Sequence, residues 1–344
     1  MQNKHQVVEK YSGKKKIWNV MIIFMALVAT CMAVGISIRF GASNLTYATI
    51  FEAIFHFDED NSQHIILHEL RIPRAIAALL VGSALAVSGA IMQGVTRNAL
   101  ASPSIMGVTA GASFIVAIAL AINSNTSFYI LVACSFIGAG LGVGLVFSIS
   151  AFGRGGITPV KLALCGSAIT TFLSGLTTAI GLKFNISKDI SYWYAGGLSS
   201  IQPMHVQVAV PFICAGILLA IGLSRSISVL SLGEDVAKGL GQNTGRIRVL
   251  ATIVVLLLTG AAVSIAGMIG FVGLVIPHIV RMLVGVDYRW IIPVSAVLGG
   301  GLLLVADIVG RLVNSPFETP VGAVTALIGV PFFLYLARKE GRGL

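Results

Sequence analysis

Apolar residues along this chain do not alternate with polar ones but run in blocks of about twenty, and charged residues fall almost entirely in the connections between blocks. A bilayer core takes about 20 helical residues to cross. The blocks at 17–39, 73–95, 104–122, 127–151, 160–182, 205–224, 249–268, 271–286, 290–313 and 320–337 therefore predict about ten transmembrane helices in an all-α polytopic membrane protein. The block at 271–286 is short and holds Pro277, His278 and Arg281. It predicts a helix that is tilted, broken or wrapped by its neighbours rather than facing lipid.

Composition sharpens this picture. Of 344 residues, 56% are hydrophobic and only 10% charged, whereas a soluble domain carries about a quarter charged residues. The 39 glycines suit helices whose backbones approach closely in lipid. A net charge of +10 raises nucleic acid as a partner, but the basic residues flank the spans and form no patch, which excludes that class. With the N-terminus placed in the cytoplasm, seventeen of the 23 Lys and Arg residues lie on the cytoplasmic side. The other six are Arg39, Arg71, Arg74, Lys183, Lys188 and Arg311. This asymmetry predicts both termini inside and an even span count.

The chain divides into a basic cytoplasmic tail at 1–16, one transmembrane domain at 17–338 and a short cytoplasmic tail at 339–344. The first tail reads as disordered, with lysines that favour anionic lipid. The first apolar block is longer than the core of a signal peptide and lacks a small-residue cleavage site, so it is expected to be a plain first span.

Candidate chemistry is sparse. Cys31, Cys134, Cys165 and Cys214 sit singly in different spans, with no metal-ligand spacing. No phosphate-binding G-x-x-x-x-G-K-[ST] occurs, and no nucleophile or zinc motif. Neither catalytic residues nor a metal site or cofactor are expected on this chain, and any ATP and Mg would bind another one. His278 reads as a packed histidine. In the outer connection, Ile50, Phe51, Ile54 and Phe55 predict a short interfacial helix, and Asp58, Glu59 and Asp60 a solvated acidic turn. Tyr192, Trp193 and Tyr194 read as an aromatic interface belt.

Two stretches break the apolar monotony. "LSLGEDVAKGLGQN" (Leu230–Asn243) lies in the cytoplasmic connection at about 226–248 and places Leu232, Val236 and Leu240 at helical spacing among Glu234, Asp235 and Lys238. Gly239 and Gly241 supply a sharp turn. Its apolar stripe needs a partner surface, either the membrane or another protein. At the opposite end, Arg71 and Arg74 share a helical face at the mouth of the second span, and Asp307 stands four residues before Arg311. Arg71 and Arg74 serve either as headgroup anchors or in function, and Asp307 with Arg311 reads as a structural ion pair.

"LGEDVAKGLGQNTGRIR" resembles the coupling loop of FecCD-like permease subunits, the type II ABC importer permeases for iron-siderophores, haem and vitamin B12. The resemblance continues through "LRIPRAIAALLVGSALAVSGAIMQGVTRNALASPSIMGVTAGAS" (Leu70–Ser113), "GMIGFVGLVIPHIVRMLVG" (Gly267–Gly285) and "LLLVADIVGRLVNSPFETPVGAVTALIGVPFFLYL" (Leu302–Leu336), and covers nearly all of the chain after residue 17. It implies a type II ABC importer permease fold in the bacterial cell membrane. It also implies a second permease subunit, identical or homologous, two cytoplasmic ABC ATPase subunits that carry ATP and Mg, and an extracytoplasmic substrate-binding protein.

By this resemblance Leu232, Gly233, Glu234, Asp235, Val236, Lys238, Gly239, Leu240 and Gly241 couple to the ATPase, with Gly239 and Gly241 as hinges. Arg71, Arg74 and Arg311 receive acidic side chains of the binding protein. Asn98, Leu100 and Thr158 narrow the inner end of the pathway, although Ala99 replaces the usual proline, and Pro159 and Val160 replace polar residues. The expected function is ATP-driven import of iron-siderophore complexes by alternating access, with haem or cobalamin as the alternative cargo. An ion-coupled secondary transporter would need intramembrane carboxylates, and Asp307 is the one deep acid. A receptor or scaffold that transports nothing would lack an ATPase partner.

Overall fold

The computed structural model describes residues 2–40, 45–152, 159–188, 190–191, 196–314 and 317–340. Among these residues there are helices and no strands. They are α1 (Gln2–Arg39), α2 (Tyr47–Phe55), α3 (Ser62–Ile66), α4 (Ile72–Thr96), α5 (Val108–Ile122), α6 (Phe128–Phe152) and α7 (Pro159–Lys183). Then follow α8 (Pro203–Ser231), α9 (Glu234–Gly239), α10 (Thr244–Ala266), α11 (Val272–Val284), α12 (Tyr288–Val313) and α13 (Val321–Glu340). A π-helical turn at Leu67–Arg71 joins α3 to α4, making one continuous helix of 35 residues.

Seven helices are long and apolar enough to cross a membrane, and Val108–Ile122, Val272–Val284 and Val321–Tyr335 are shorter apolar helices. Together they match the ten apolar blocks. Two boundaries differ from the sequence reading. The N-terminal tail is not an irregular segment, because α1 begins at Gln2; once a helix is nucleated, each added residue gains a backbone bond at little cost. The sixth span runs on to Ser231, because Ile227 and Leu230 are buried and keep its last turns packed. Tyr192, Trp193 and Tyr194 lie outside the described residues.

α4 is the centre of the bundle. It packs against α1, α8, α10, α11 and α12, and its inward positions are small: Ala75, Ala78, Gly82, Ala86, Gly89 and Ala90 are all buried. The approach is backbone to backbone. A Cβ on Gly82 would overlap the carbonyl oxygen of Gly299 in α12, and one on Gly89 that of Gly273 in α11. α5 and α6 meet in the same way, through Gly111 against Gly138. In lipid, where apolar burial between helices drives little, such close contact is the main source of association.

The doubtful eighth span is α11. At 13 residues it reaches about 20 Å, less than a bilayer core of about 30 Å, and its first half is buried. The irregular backbone before it also lies against protein: Gly197 donates to the carbonyl of Ala266 at 3.0 Å. Pro277 has no N–H for the carbonyl of Gly273. Gln93 of α4 takes over, its Nε2 donating to the carbonyls of Gly273 at 3.4 Å and Leu274 at 3.3 Å. His278 rests edge-on against Phe332 of α13, with ring centroids 5.7 Å apart, as a packed histidine should.

The glycine contacts give a direct test. Gly89→Val, which puts a branched side chain into backbone, should abolish the monodisperse detergent-solubilised protein or lower its melting temperature by at least several degrees. Gly222→Val, where a Cβ meets nothing within 4 Å, should leave the size-exclusion profile and melting curve unchanged.

Candidate functional site

Between α8 and α10 hangs α9, six residues long. Gly233 precedes it at φ +131, a conformation essentially reserved for glycine. At its end, Gly241 adopts φ +78 and donates to the carbonyl of Lys238 at 2.9 Å, while Gln242 donates to that of Ala237 at 2.9 Å. This pair of bonds is a Schellman cap. Gly233 and Gly241 hold the two turns, whereas Gly239, expected to share the turn with Gly241, is the last residue of the helix with open space where a Cβ would be.

Side chains fasten α9 to both neighbouring spans. Glu234 pairs with Lys238 at 3.0 Å and with Arg248 of α10 at 2.7 Å, and Gln242 donates to the Ser226 carbonyl of α8 at 3.0 Å. Hydrogen bonds from Lys238 and Arg248 hold the Glu234 carboxyl below the usual carboxylate range. Glu234 and Lys238 therefore spend their charge inside the loop. Ala237 is buried, but Leu232, Val236 and Leu240 are 65%, 47% and 67% exposed. The apolar stripe expected from the sequence is present and has no cover within the described residues.

The chain around Asn98 and Leu100 adjoins this loop, with Nη1 of Arg97 3.6 Å from a Cβ built on Gly233. α4 ends at Arg97, in a left-handed conformation with φ +51. Asn98 then closes a turn, its Oδ1 accepting from the Leu100 backbone at 2.9 Å, so it organises a turn rather than capping a helix. A cavity of about 290 Å³ lies beside this turn, lined by Met92, Thr96, Met106, Phe147, Leu162 and Arg248 among others. Thr158 lies outside the described residues.

At the other end two of the three predicted arginines, Arg74 and Arg311, gather around one carboxylate. Asp307 of α12 is fully buried; Arg74 of α4 donates to it through Nε at 3.0 Å and Nη2 at 2.8 Å, and Arg311 pairs with it at 3.2 Å. The remaining edge of Arg74 reaches Glu318 at 2.8 Å, a carboxylate 42% exposed. Arg311 also donates to the carbonyls of Ser37 and Phe40, and Arg71 to those of Ile38 and Arg39 at 2.6 and 2.8 Å. Both arginines are thereby spent on the last turn of α1. Arg71 and Arg74, expected side by side, serve different neighbours, and Arg74 keeps only 13% of its side chain exposed. Glu318, which the sequence reading passed over, is the outermost charge of the cluster.

A further feature without a motif is α7, whose span Leu164–Lys183 is the least apolar of the seven and is little buried. Ser167, Thr171 and Thr178 are exposed at helical spacing, with Ser174 half-buried between them. Their i and i+4 recurrence was visible in the sequence. Each threonine returns its hydroxyl to the helix, Thr171 to the carbonyl of Ser167 and Thr178 to that of Ser174, both at 3.0 Å. Such a face is polar for lipid and weakly interacting for a solute. Among the described residues no cluster of His, Cys, Asp or Glu could hold a metal.

A family model described as the FecCD transport family matches residues 23–339. The chain is 56% identical over 325 residues to the iron(3+)-hydroxamate import system permease protein FhuB of Bacillus subtilis (strain 168), which covers 94% of the chain and 85% of that protein. It is 46% identical over 326 residues to the iron-uptake system permease protein FeuB of the same organism, covering 95% and 98%. A solved structure assigned as a metal-chelate type ABC transporter in an inward-facing conformation shares 29% identity at a TM-score of 0.80, covering 93% of this chain and 99% of that one.

Two outcomes are expected from the charges. Asp307→Ala, which strands two buried arginines, should cost about 3–5 kcal/mol, read as loss of folded protein on size exclusion, whereas Glu318→Gln should cost about 1 kcal/mol or less. Because the folded carboxyl of Glu234 titrates below its unfolded value, its contribution is present above the ordinary carboxylate pKa and is lost as pH falls through the folded one. Protection factors of the α9 amides, taken relative to intrinsic exchange at each pH, should therefore fall in acid in the native chain, and be lower but flat with pH in Glu234→Gln.

Proposed function

Because the chain belongs to the FecCD transport family, we propose that it is the permease subunit of a binding-protein-dependent ABC importer that moves an iron(III)-siderophore complex into the cytoplasm. The observation that carries this reading is α9: an uncovered apolar helix, pinned by ion pairs and caps between two membrane spans that themselves pack on α4. A cytoplasmic ATPase binds ATP and Mg and takes α9 in a groove. Closure of the ATPases moves α9, and α8 and α10 carry that motion to the central helix. Both termini lie in the cytoplasm, consistent with the side on which lysine and arginine accumulate.

A second permease subunit, identical or homologous, completes the pathway, and the Ser/Thr face of α7 gives it a lining on which a large polar cargo slides without being held. The binding protein delivers cargo at the outer end, over the cluster of Arg71, Arg74 and Arg311 where Glu318 is exposed. Asn98, Leu100 and Thr158 narrow the inner end. The similarity to a hydroxamate system permease supports a ferric hydroxamate as the cargo to try first. Asp307 does not serve as a proton relay, because its charge is spent on two arginines and a coupling carboxylate must be free to titrate.

Cells that depend on this chain should accumulate radioactive iron from a ferric hydroxamate, and Leu240→Asp should cut that uptake at least tenfold while membrane levels of the protein stay constant. Uptake that persists after ATP depletion but stops when the proton gradient collapses would sink the importer reading. Uptake of haem or cobalamin in place of the hydroxamate would reassign the cargo alone.

A further inference from the structure

The surface around α9 is built like the interface of a partner with a particular charge. At its centre are the exposed Leu232, Val236 and Leu240. Around them stand three exposed arginines. Arg97 ends α4 with its Nη1 3.6 Å from a Cβ built on Gly233; Arg225 lines a cavity of about 330 Å³ together with Leu232; and Arg246 lies in the first turn of α10, just after the capping Asn243. Among the described residues none of the three has a side-chain hydrogen bond or ion pair. Their neighbours Lys238, Arg248 and Arg289 all do. An apolar centre with a charged rim is the usual anatomy of a protein interface, and arginine is enriched in it.

A membrane surface would also attract arginines, but the apolar residues cannot follow them there. Arg225 is the first charge met along α8 from its outer end. Leu232 lies about 10 Å further along at 1.5 Å per residue, and an interfacial helix sinks only about 5–10 Å past the headgroups. The first turn of α9 also carries Glu234 and Asp235, which anionic lipid repels.

We infer that the ATPase which receives α9 does so through an apolar slot rimmed by carboxylates, and that Arg97, Arg225 and Arg246 are the residues that read this rim. This rests on the importer reading above. Rim charges act through encounter and its salt dependence, while desolvated apolar anchors act on dissociation. The two contributions are therefore separable in one kinetic experiment.

The experiment uses the full chain in phosphatidylcholine nanodiscs and the ATPase that co-purifies with it, identified by mass and by ATP hydrolysis, stripped off and returned at several salt concentrations. In the combined Arg97→Glu, Arg225→Glu and Arg246→Glu chain, association at low salt should fall at least about tenfold and rise rather than fall with added salt. Dissociation should be unchanged. The corresponding glutamine variant should lie between, and Leu240→Ala should speed dissociation while leaving association nearly intact. Equal association of wild-type and charge-reversed chains at every salt overturns the charged rim while leaving the coupling helix standing. So does wild-type association that appears only when phosphatidylglycerol is added, which would place the arginines on lipid. If no ATPase accompanies the wild-type chain, the importer reading falls and this inference with it.

Discussion

Contact between bare backbones is the constraint from which the rest of this molecule follows. Where Gly82 touches Gly299 and Gly89 touches Gly273, no side chain separates the helices, so their axial register has almost no freedom. That register positions the charges. Along α4, Arg74 lies as far before Gly82 as Asp307 lies after Gly299 along the antiparallel α12. Fixing the glycine contact therefore brings guanidinium and carboxylate face to face about 12 Å away at 1.5 Å per residue. The ion pair needs no flexible search by long side chains, because packing has already aligned it.

Such alignment matters because a charge buried without its partner costs several kcal/mol. Asp307 has no exposure and two guanidiniums, while Arg71 and Arg311 donate to carbonyls at the end of α1. This cluster thus ties the least buried span to the most buried one. At the opposite end of the bundle the bonds are different in kind. α9 is held by one ion-pair hub and by backbone caps, which fix its orientation while leaving its apolar side uncovered. One end of the bundle is closed on itself and the other presents a surface.

The spans were legible because their signal is compositional: a helix that crosses lipid needs its full length of apolar residues, whatever it packs against. The stripe of Leu232, Val236 and Leu240 and the pairing of Asp307 with Arg311 were legible because both are local, at helical spacing. What escaped depends on contacts between residues far apart in sequence. Arg74 meets Asp307 across 233 positions, and nothing local foretells that Arg71 is used up on the carbonyls of Ile38 and Arg39. Glu318 gives no local signal either, because its partner Arg74 lies 244 positions away. Gly239 and Gly241 are indistinguishable as letters, yet only backbone geometry tells a helical glycine from a left-handed one. The helical tail was missed because its composition is that of a solvated segment, and its helicity comes from the span it extends.

The unusual length of α8 has a mechanical side. Its 29 residues make a rod of about 43 Å, and it rests on α10 where Gly216 admits the side chain of Leu258. That resting point lies near the middle of the rod. Between that point and its first turn the rod is interrupted by Pro211, which has no N–H for the helix ladder and makes this the softest place along it. A push on the end beside α9 is thus carried undiminished as far as Gly216, while Pro211 lets the remaining turns follow the packing at their own end, where His205 stacks on Phe128 with ring centroids 3.9 Å apart.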